Sequence, residues 1–243
     1  AVETLGINTD WKKEIYNNHA PTYSLEGSIS GGTEHTKYYV SLNHLDQEGI
    51  IDQSGMRRET LRFSLDTRAN KWFYFRLQAN LGYTKYQTNN ESGNQYNSGN
   101  TGYYGTNPMA FALSTLPYDS PYYYTINEDG TANWLGKAQY LHFSQMPTPA
   151  YINENRKVIS NRITANAAMY EMIRPIKGLT LRAQQSVDAY DQRISNQGFP
   201  QETLYTPMGD VYAHGTRPGT LSEGYAQQSF GRYYQFTYTN TAE

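Results

Sequence analysis

The chain has no cysteine among its 243 residues, which excludes structural disulfides and thiolate-held metals. It has no apolar run approaching the roughly 18 residues of a membrane-spanning helix, and its mean hydropathy is −0.77. A helical membrane protein is therefore excluded. One that crosses by strands is not, because only every second residue must then be apolar. Net charge is also nearly absent, −2 with a pI near 6.2, so no electrostatic basis exists for nucleic-acid binding or a polybasic membrane patch. Trp and Phe are modest at 3 and 8, but Tyr stands at 24. An apolar ring with a polar tip suits membrane–water boundaries and wet, sugar-facing loops.

Catalytic signatures are missing too. His19, His35, His44, His142 and His214 are scattered, without HExxH or other metal-ligand spacing. There is no G-x-S-x-G elbow, no Walker loop and no strand-linked dinucleotide fingerprint. Loop acids are numerous, but solvated loop carboxylates are their ordinary state, so no glycosidase pair is assigned. The expectation is no enzyme, no cofactor and no metal. His44, on the apolar face of a strand, is read as an interface residue rather than a ligand.

What the sequence does have is two-faced alternation. In residues 72–86, Phe73, Phe75, Leu77, Ala79, Leu81 and Tyr83 fall on one face. Tyr74, Arg76, Gln78, Asn80, Gly82 and Thr84 fall on the other. Similar strands are predicted at 22–30, 37–45, 57–66, 161–173, 179–190 and 224–239. The loops between them run short, medium, short, very long, short, long, so every second connection is tight. A soluble sandwich has no reason to keep its tight turns on one side, whereas a membrane barrel turns tightly in the periplasm and loops widely outside. Ten steps from Phe73 to Tyr83 span about 33 Å, or roughly 23 Å when tilted 45°, close to the ~25 Å apolar band of such barrels. The predicted fold class is all-β, an antiparallel up-and-down transmembrane β-barrel segment of about seven strands with long extracellular loops.

This reading divides the chain into a loop at 1–21 with a short amphipathic piece around Trp11–Tyr16, four strands over 22–86, a long extracellular loop over 87–160, and three further strands over 161–243. The long loop has no sustained period, although MAFALSTL at 109–116 reads as a helical turn. It carries an aromatic cluster, Tyr122, Tyr123, Tyr124 and Trp134, with two readings. Aromatic planes stack on sugar rings and other flat ligands, and the same side chains also suit packing the loop onto the barrel mouth. One residue resists the pattern. Arg232 shares parity with Phe230 and Tyr234, so it lies near the outer interface or a bulge shifts the register.

Three segments carry a family resemblance. TDWKKEIY at 9–16, SLEGSISGGTEHTKYYVSLNHLDQEGII at 24–51 and RRETLRFSLD at 57–66 resemble the early barrel of the SusC/RagA class of TonB-dependent outer-membrane transporters. That family has a T-D-W-x-x-x-I/L-F/Y segment, then S-G-G-x-x-x-T-x-Y-Y-x-S, a Q-E-G-I-I-x-x-S/T loop, and an R-x-x-x-R-x-N-x-D-like strand. Ser64–Leu65–Asp66 departs mildly from the last. The match runs from about residue 9 to 87 and thins beyond to strand pattern. The resemblance implies a barrel of about 22 strands plugged by an N-terminal domain. It also implies import of glycans or peptides energised through TonB, a SusD-like surface lipoprotein as lid, and a Gram-negative, Bacteroidetes-like outer membrane whose lipid meets the apolar face. Nothing here resembles the plug, the TonB-binding box or the carboxy-terminal strand, so the chain is read as a fragment carrying barrel wall and loops. The competing reading is a soluble or surface β-sandwich module for carbohydrate binding or adhesion.

Overall fold

A computed structural model describes residues 7–88, 116–138, 156–198, 201–202, 221–222 and 225–243. One short helix, α1 (Trp11–Ile15), precedes the strands β1 (Thr22–Gly32), β2 (Thr36–Glu48), β3 (Gly55–Arg68) and β4 (Phe73–Thr88). There follow β5 (Tyr122–Ile126), β6 (Ala132–Ala138), β7 (Arg156–Ile176), β8 (Leu179–Gly198), β9 (Gln201–Glu202), β10 (Leu221–Ser222) and β11 (Tyr225–Ala242). A seven-stranded sheet has the order β1-β2-β3-β4-β7-β8-β11, with every neighbouring pair antiparallel. This is the up-and-down order that the alternation predicts. The sheet is open, with β1 and β11 at its edges.

Tight turns join β1 to β2, β3 to β4 and β7 to β8, all at one end. The chemistry of two of them is specific. A Cβ on Gly32 would sit 2.2 Å from the Thr36 carbonyl oxygen, so only glycine lets the hairpin close. Gly178 has φ +88°, the left-handed region a side chain disfavours.

Register sorts the side chains into two faces. On the first, Leu42, Leu61, Leu81, Ala165, Ala189 and Tyr234 are successive cross-strand partners, as are Val40, Phe63, Ala79, Ala167, Val187 and Phe236. On the second, Ser41, Arg62, Asn80, Asn166, Asp188 and Gln235 follow one another. No apolar residue of the sheet is buried: among the described residues the buried apolar side chains are Trp11, Ile15 and Ile51. Leu25 at 73% and Phe236 at 78% exposure show how open the first face is. In water such a face would be an aggregation surface; against hydrocarbon it is satisfied, and every inner strand has both backbone edges paired.

Arg232 is placed by this geometry without a bulge. Register runs unbroken through it, and its cross-strand partner is Asp191, whose carboxylate accepts from Nε at 2.8 Å and Nη2 at 2.7 Å. Strands tilt, so equal register is not equal depth, and height is best counted from each hairpin's own tight turn. About twelve steps separate Leu179 from Asp191, which gives a rise of roughly 28 Å and lifts the pair above the ~25 Å apolar band. Of the two explanations offered by the sequence, the unbroken register removes the bulge.

Candidate ligand-contact site at the outer mouth

Residues 7–21 lie at the long-loop end of the sheet and build its apolar cluster. Asp10 caps α1 by accepting from the Lys12 amide at 3.2 Å, and the i, i+4 spacing puts Trp11 and Ile15 on one side of the turn. Ile51, from the loop between β2 and β3, is buried with them. Backbone bonds fix that loop: Asp52 N–H donates to the Ile15 carbonyl at 2.9 Å, and Asn17 N–H to that of Ile50 at 2.8 Å. A second set reaches into the long loop. Trp11 Nε1 donates to the Leu116 carbonyl at 2.9 Å, Thr9 N–H to Pro117 at 2.7 Å, and Thr9 Oγ1 to Asp119 at 2.7 Å. The short amphipathic piece of the sequence is therefore a clamp on two outer loops.

The clamp delivers the chain into a hairpin that the sequence pattern does not announce. Buried Ser120 holds Tyr122 at both backbone groups, donating to its carbonyl at 2.7 Å and accepting from its amide at 3.2 Å. β5 and β6 then pair antiparallel, with Tyr124 opposite Trp134 and a register shift between Tyr122 and Tyr124. At the tip, Gly130 has φ +83°, and one Asp129 oxygen accepts from Thr131 N–H at 2.9 Å and Oγ1 at 2.6 Å. The expectation of no regular structure across 87–160 is thus corrected for 122–138. Three successive tyrosines and a bulge erase the two-residue period by which strands are recognised. The helical turn expected at 109–116 lies outside the described residues, apart from Leu116.

All four aromatic candidates fall on this hairpin: Tyr122, Tyr123 and Tyr124 on β5, and Trp134 on β6. Tyr122 and Tyr124 are half-buried. The hairpin therefore brings the four aromatic positions onto one short element, whose root is anchored by the clamp at the long-loop end of the sheet.

A second cluster on the polar face escaped sequence reasoning. Tyr190 and Tyr233 are cross-strand partners whose rings stack at 5.6 Å with an 18° interplanar angle. The Arg162 guanidinium lies over Tyr190 at 4.3 Å. Tyr233 also donates to Gln235 Oε1. Parity alone puts Tyr233 among polar residues, but only register brings residues 190 and 233 together. Lower on this face, Asp66 accepts from Tyr74 Oη at 2.7 Å and from Arg76 Nη2 at 2.8 Å. In the middle, the buried Oδ1 of Asn80 has no hydrogen-bond partner among the described residues. This wall suits polar, planar or charged contacts. His44 lies on the apolar face, with its Nδ1 2.6 Å from Glu59 Oε1. Among the described residues no group of three or more His, Asp or Glu could hold a metal ion. No helix there is long and apolar enough to cross a membrane, which says nothing of crossing by strands.

No family model matches the chain. Two curated relatives from Formosa agariphila do. TonB-dependent receptor P26 is 33% identical over 154 residues, and TonB-dependent receptor P3 is 31% identical over 127 residues. These alignments cover 63% and 51% of the chain but only 13% and 12% of the relatives. Among solved structures, the RagAB peptide importer in its closed-closed state aligns with 97% of the chain at 26% identity and TM-score 0.67. A structure described as the RagAB peptide transporter gives the same values, and the chain covers 23% of the matched chain in each. The chain thus spans under a quarter of the proteins it matches. These likenesses support a SusC/RagA-type TonB-dependent transporter, to a segment of whose β-barrel this chain is similar.

Proposed function

We propose that this chain forms wall and outer loops of an outer-membrane importer for oligopeptides or glycans. The observation that carries the reading is a sheet of lipid-compatible strands with every tight turn at one end, in a chain of which 97% aligns with a chain of a peptide importer. In the reading, the whole transporter is energised through TonB by parts outside this chain. A SusD-like surface lipoprotein closes over the mouth, in a Gram-negative, Bacteroidetes-like outer membrane. The P26 and P3 relatives, named as TonB-dependent receptors, support the energy coupling, and the two-part name RagAB supports a partner. The β-sandwich alternative would need a second layer to cover the apolar face, and the described sheet has none.

Within this reading, the long loop expected at 87–160 is extracellular, shortened at its ends to the stretch between β4 and β7, and its Tyr122, Tyr123, Tyr124 and Trp134 contact cargo or the lid protein. The hairpin's support is its anchored root and its place at the outer mouth. A single aromatic stack contributes only about 0.5–1.5 kcal/mol beyond burial, so one Tyr→Ala change is expected to be nearly silent. The test replaces all four with alanine in the full-length transporter, confirms insertion, and measures uptake of labelled oligopeptides and oligosaccharides and capture of the partner lipoprotein. Loss of either supports a contact role. Wild-type values for both would reduce the cluster to loop packing. Loss of all uptake on deleting the TonB-binding segment tests the energy coupling separately.

A further inference from the structure

The apolar face ends, on its outer side, in a row of unanswered donors. Lys85 of β4, Asn161 of β7 and Arg193 of β8 are consecutive cross-strand partners. With strands about 4.8 Å apart, Lys85 and Arg193 flank Asn161 at roughly 10 Å from one another. Among the described residues Lys85 has no hydrogen-bond or ion-pair partner. Arg193 lies over the Phe230 ring at 5.8 Å without a carboxylate. Asn161 accepts from Tyr83 Oη through Oδ1 at 3.0 Å, leaving its NH₂ as a free donor on the same face. Neighbouring carboxylates are already engaged: Asp191 by Arg232 at 2.7 Å, Asp46 by Arg57 at 2.6 Å, and Glu59 by His44 at 2.6 Å.

Depth and shape agree with charge. Counted from their own tight turns, Lys85 and Arg193 stand roughly 28 and 33 Å up, in the headgroup layer above the ~25 Å apolar band. Beneath them the face continues as a low strip floored by Ala165, Ala167 and Ala189, with Leu81 on one side and Tyr234 and Phe236 on the other. Two cations without a carboxylate partner among the described residues, and an amide donor at that height, call for an anion attached to something apolar. We propose that Lys85, Asn161 and Arg193 seat the phosphate of an outer-leaflet lipid, whose acyl chains lie along the strip below.

The test uses the full-length transporter in detergent, with phosphorylated lipid A, the same lipid after phosphatase treatment, and inorganic phosphate as probes. Wild type should bind the phosphorylated lipid about tenfold tighter than the dephosphorylated one, as expected for two cations near an anionic surface. K85Q/R193Q should lose that preference, while Lys177→Gln at a tight turn should keep it. K85R/R193K, which preserves charge, should also keep it. The proposal is overturned if K85Q/R193Q binds phosphorylated lipid like wild type, if wild type does not distinguish the two lipids, or if both double variants lose binding equally. Complete displacement of the lipid by millimolar inorganic phosphate would equally overturn it. Transport plays no part in this readout, so it fails or succeeds independently of the importer reading.

Discussion

Trp11 shows how much a single residue does in a molecule without an ordinary core. Trp11 is 4% exposed, is buried like Ile15 and Ile51, and holds the Leu116 carbonyl through its indole. Truncating a buried Trp costs about 3–5 kcal/mol where neighbours cannot collapse into the space. Because the cluster is separate from the sheet, Trp11→Ala should loosen the outer loops and leave the wall intact. Hydrogen exchange on the full-length protein should accelerate at 50–54 and 116–121 and stay unchanged in β3 and β4. Acceleration throughout the sheet would mean the cluster is part of the wall's stability. At the same scale, the Arg232–Asp191 pair tests the depth assignment. Arg232→Ala is expected to change unfolding free energy by less than about 1 kcal/mol, whereas Ala79→Arg, midway along the apolar run of β4, should cost about 2–4 kcal/mol. Equal costs would mean the face does not meet lipid as described. Arg232 was legible in the sequence as an exception but not as half of a pair, because Asp191 becomes its partner only through the register of β8 and β11.

Elements differ in how they respond to acid, and the two at the outer mouth respond in opposite directions. Burial raises the Asp119 carboxyl above its ordinary value of 3.8. Burial, followed by the charge of Asp10, raises Glu14 above 4.5. Both bind a proton more tightly in the folded clamp than in the unfolded chain. Clamp stability is therefore greatest below those ordinary values and declines as pH climbs through the raised ones. At the hairpin tip the sign is reversed. Bonds from Thr131 hold Asp129 below 3.8, so its stabilisation is present above that value and is lost as pH falls through the lowered one. Hydrogen exchange corrected for intrinsic rates should show 116–121 gaining protection on acidification from pH 7 to 4, and 127–131 losing it below pH 4. Asp119→Asn should flatten the first response. Parallel behaviour of the two segments, or an unchanged response in the variant, would refute the assignment. The seven long strands were legible because a half-apolar face obliges a strict two-residue period. The hairpin was not, because Tyr122, Tyr123 and Tyr124 give no alternation and the bulge breaks what remains. Trp11 and Ile15 were visible as an amphipathic piece, yet their hydrogen-bond partners Leu116 and Asp52 lie 105 and 37 residues away and leave no local mark.

At the scale of the whole sheet, what holds the seven strands is backbone pairing and cross-strand neighbours, not a core. Both faces and both edges are open: β1 and β11 offer unpaired N–H and C=O groups along their length, and apolar side chains such as Leu25, Ile29, Phe230 and Phe236 are each more than two-thirds exposed. Open edges template pairing with other chains, and exposed apolar patches beyond the ~300–600 Å² of a soluble monomer drive association. A lipid bilayer removes the second hazard, and only further strands of a larger barrel remove the first. Residues 1–243 expressed alone in aqueous buffer should therefore aggregate or require detergent. In detergent they should remain oligomeric through their edges, whereas the full-length transporter should run as a discrete, heat-modifiable species. Size-exclusion chromatography with light scattering separates these outcomes. A soluble, monodisperse fragment that unfolds cooperatively in urea would show that the apolar face is covered by the chain itself, which the described sheet has no second layer to do.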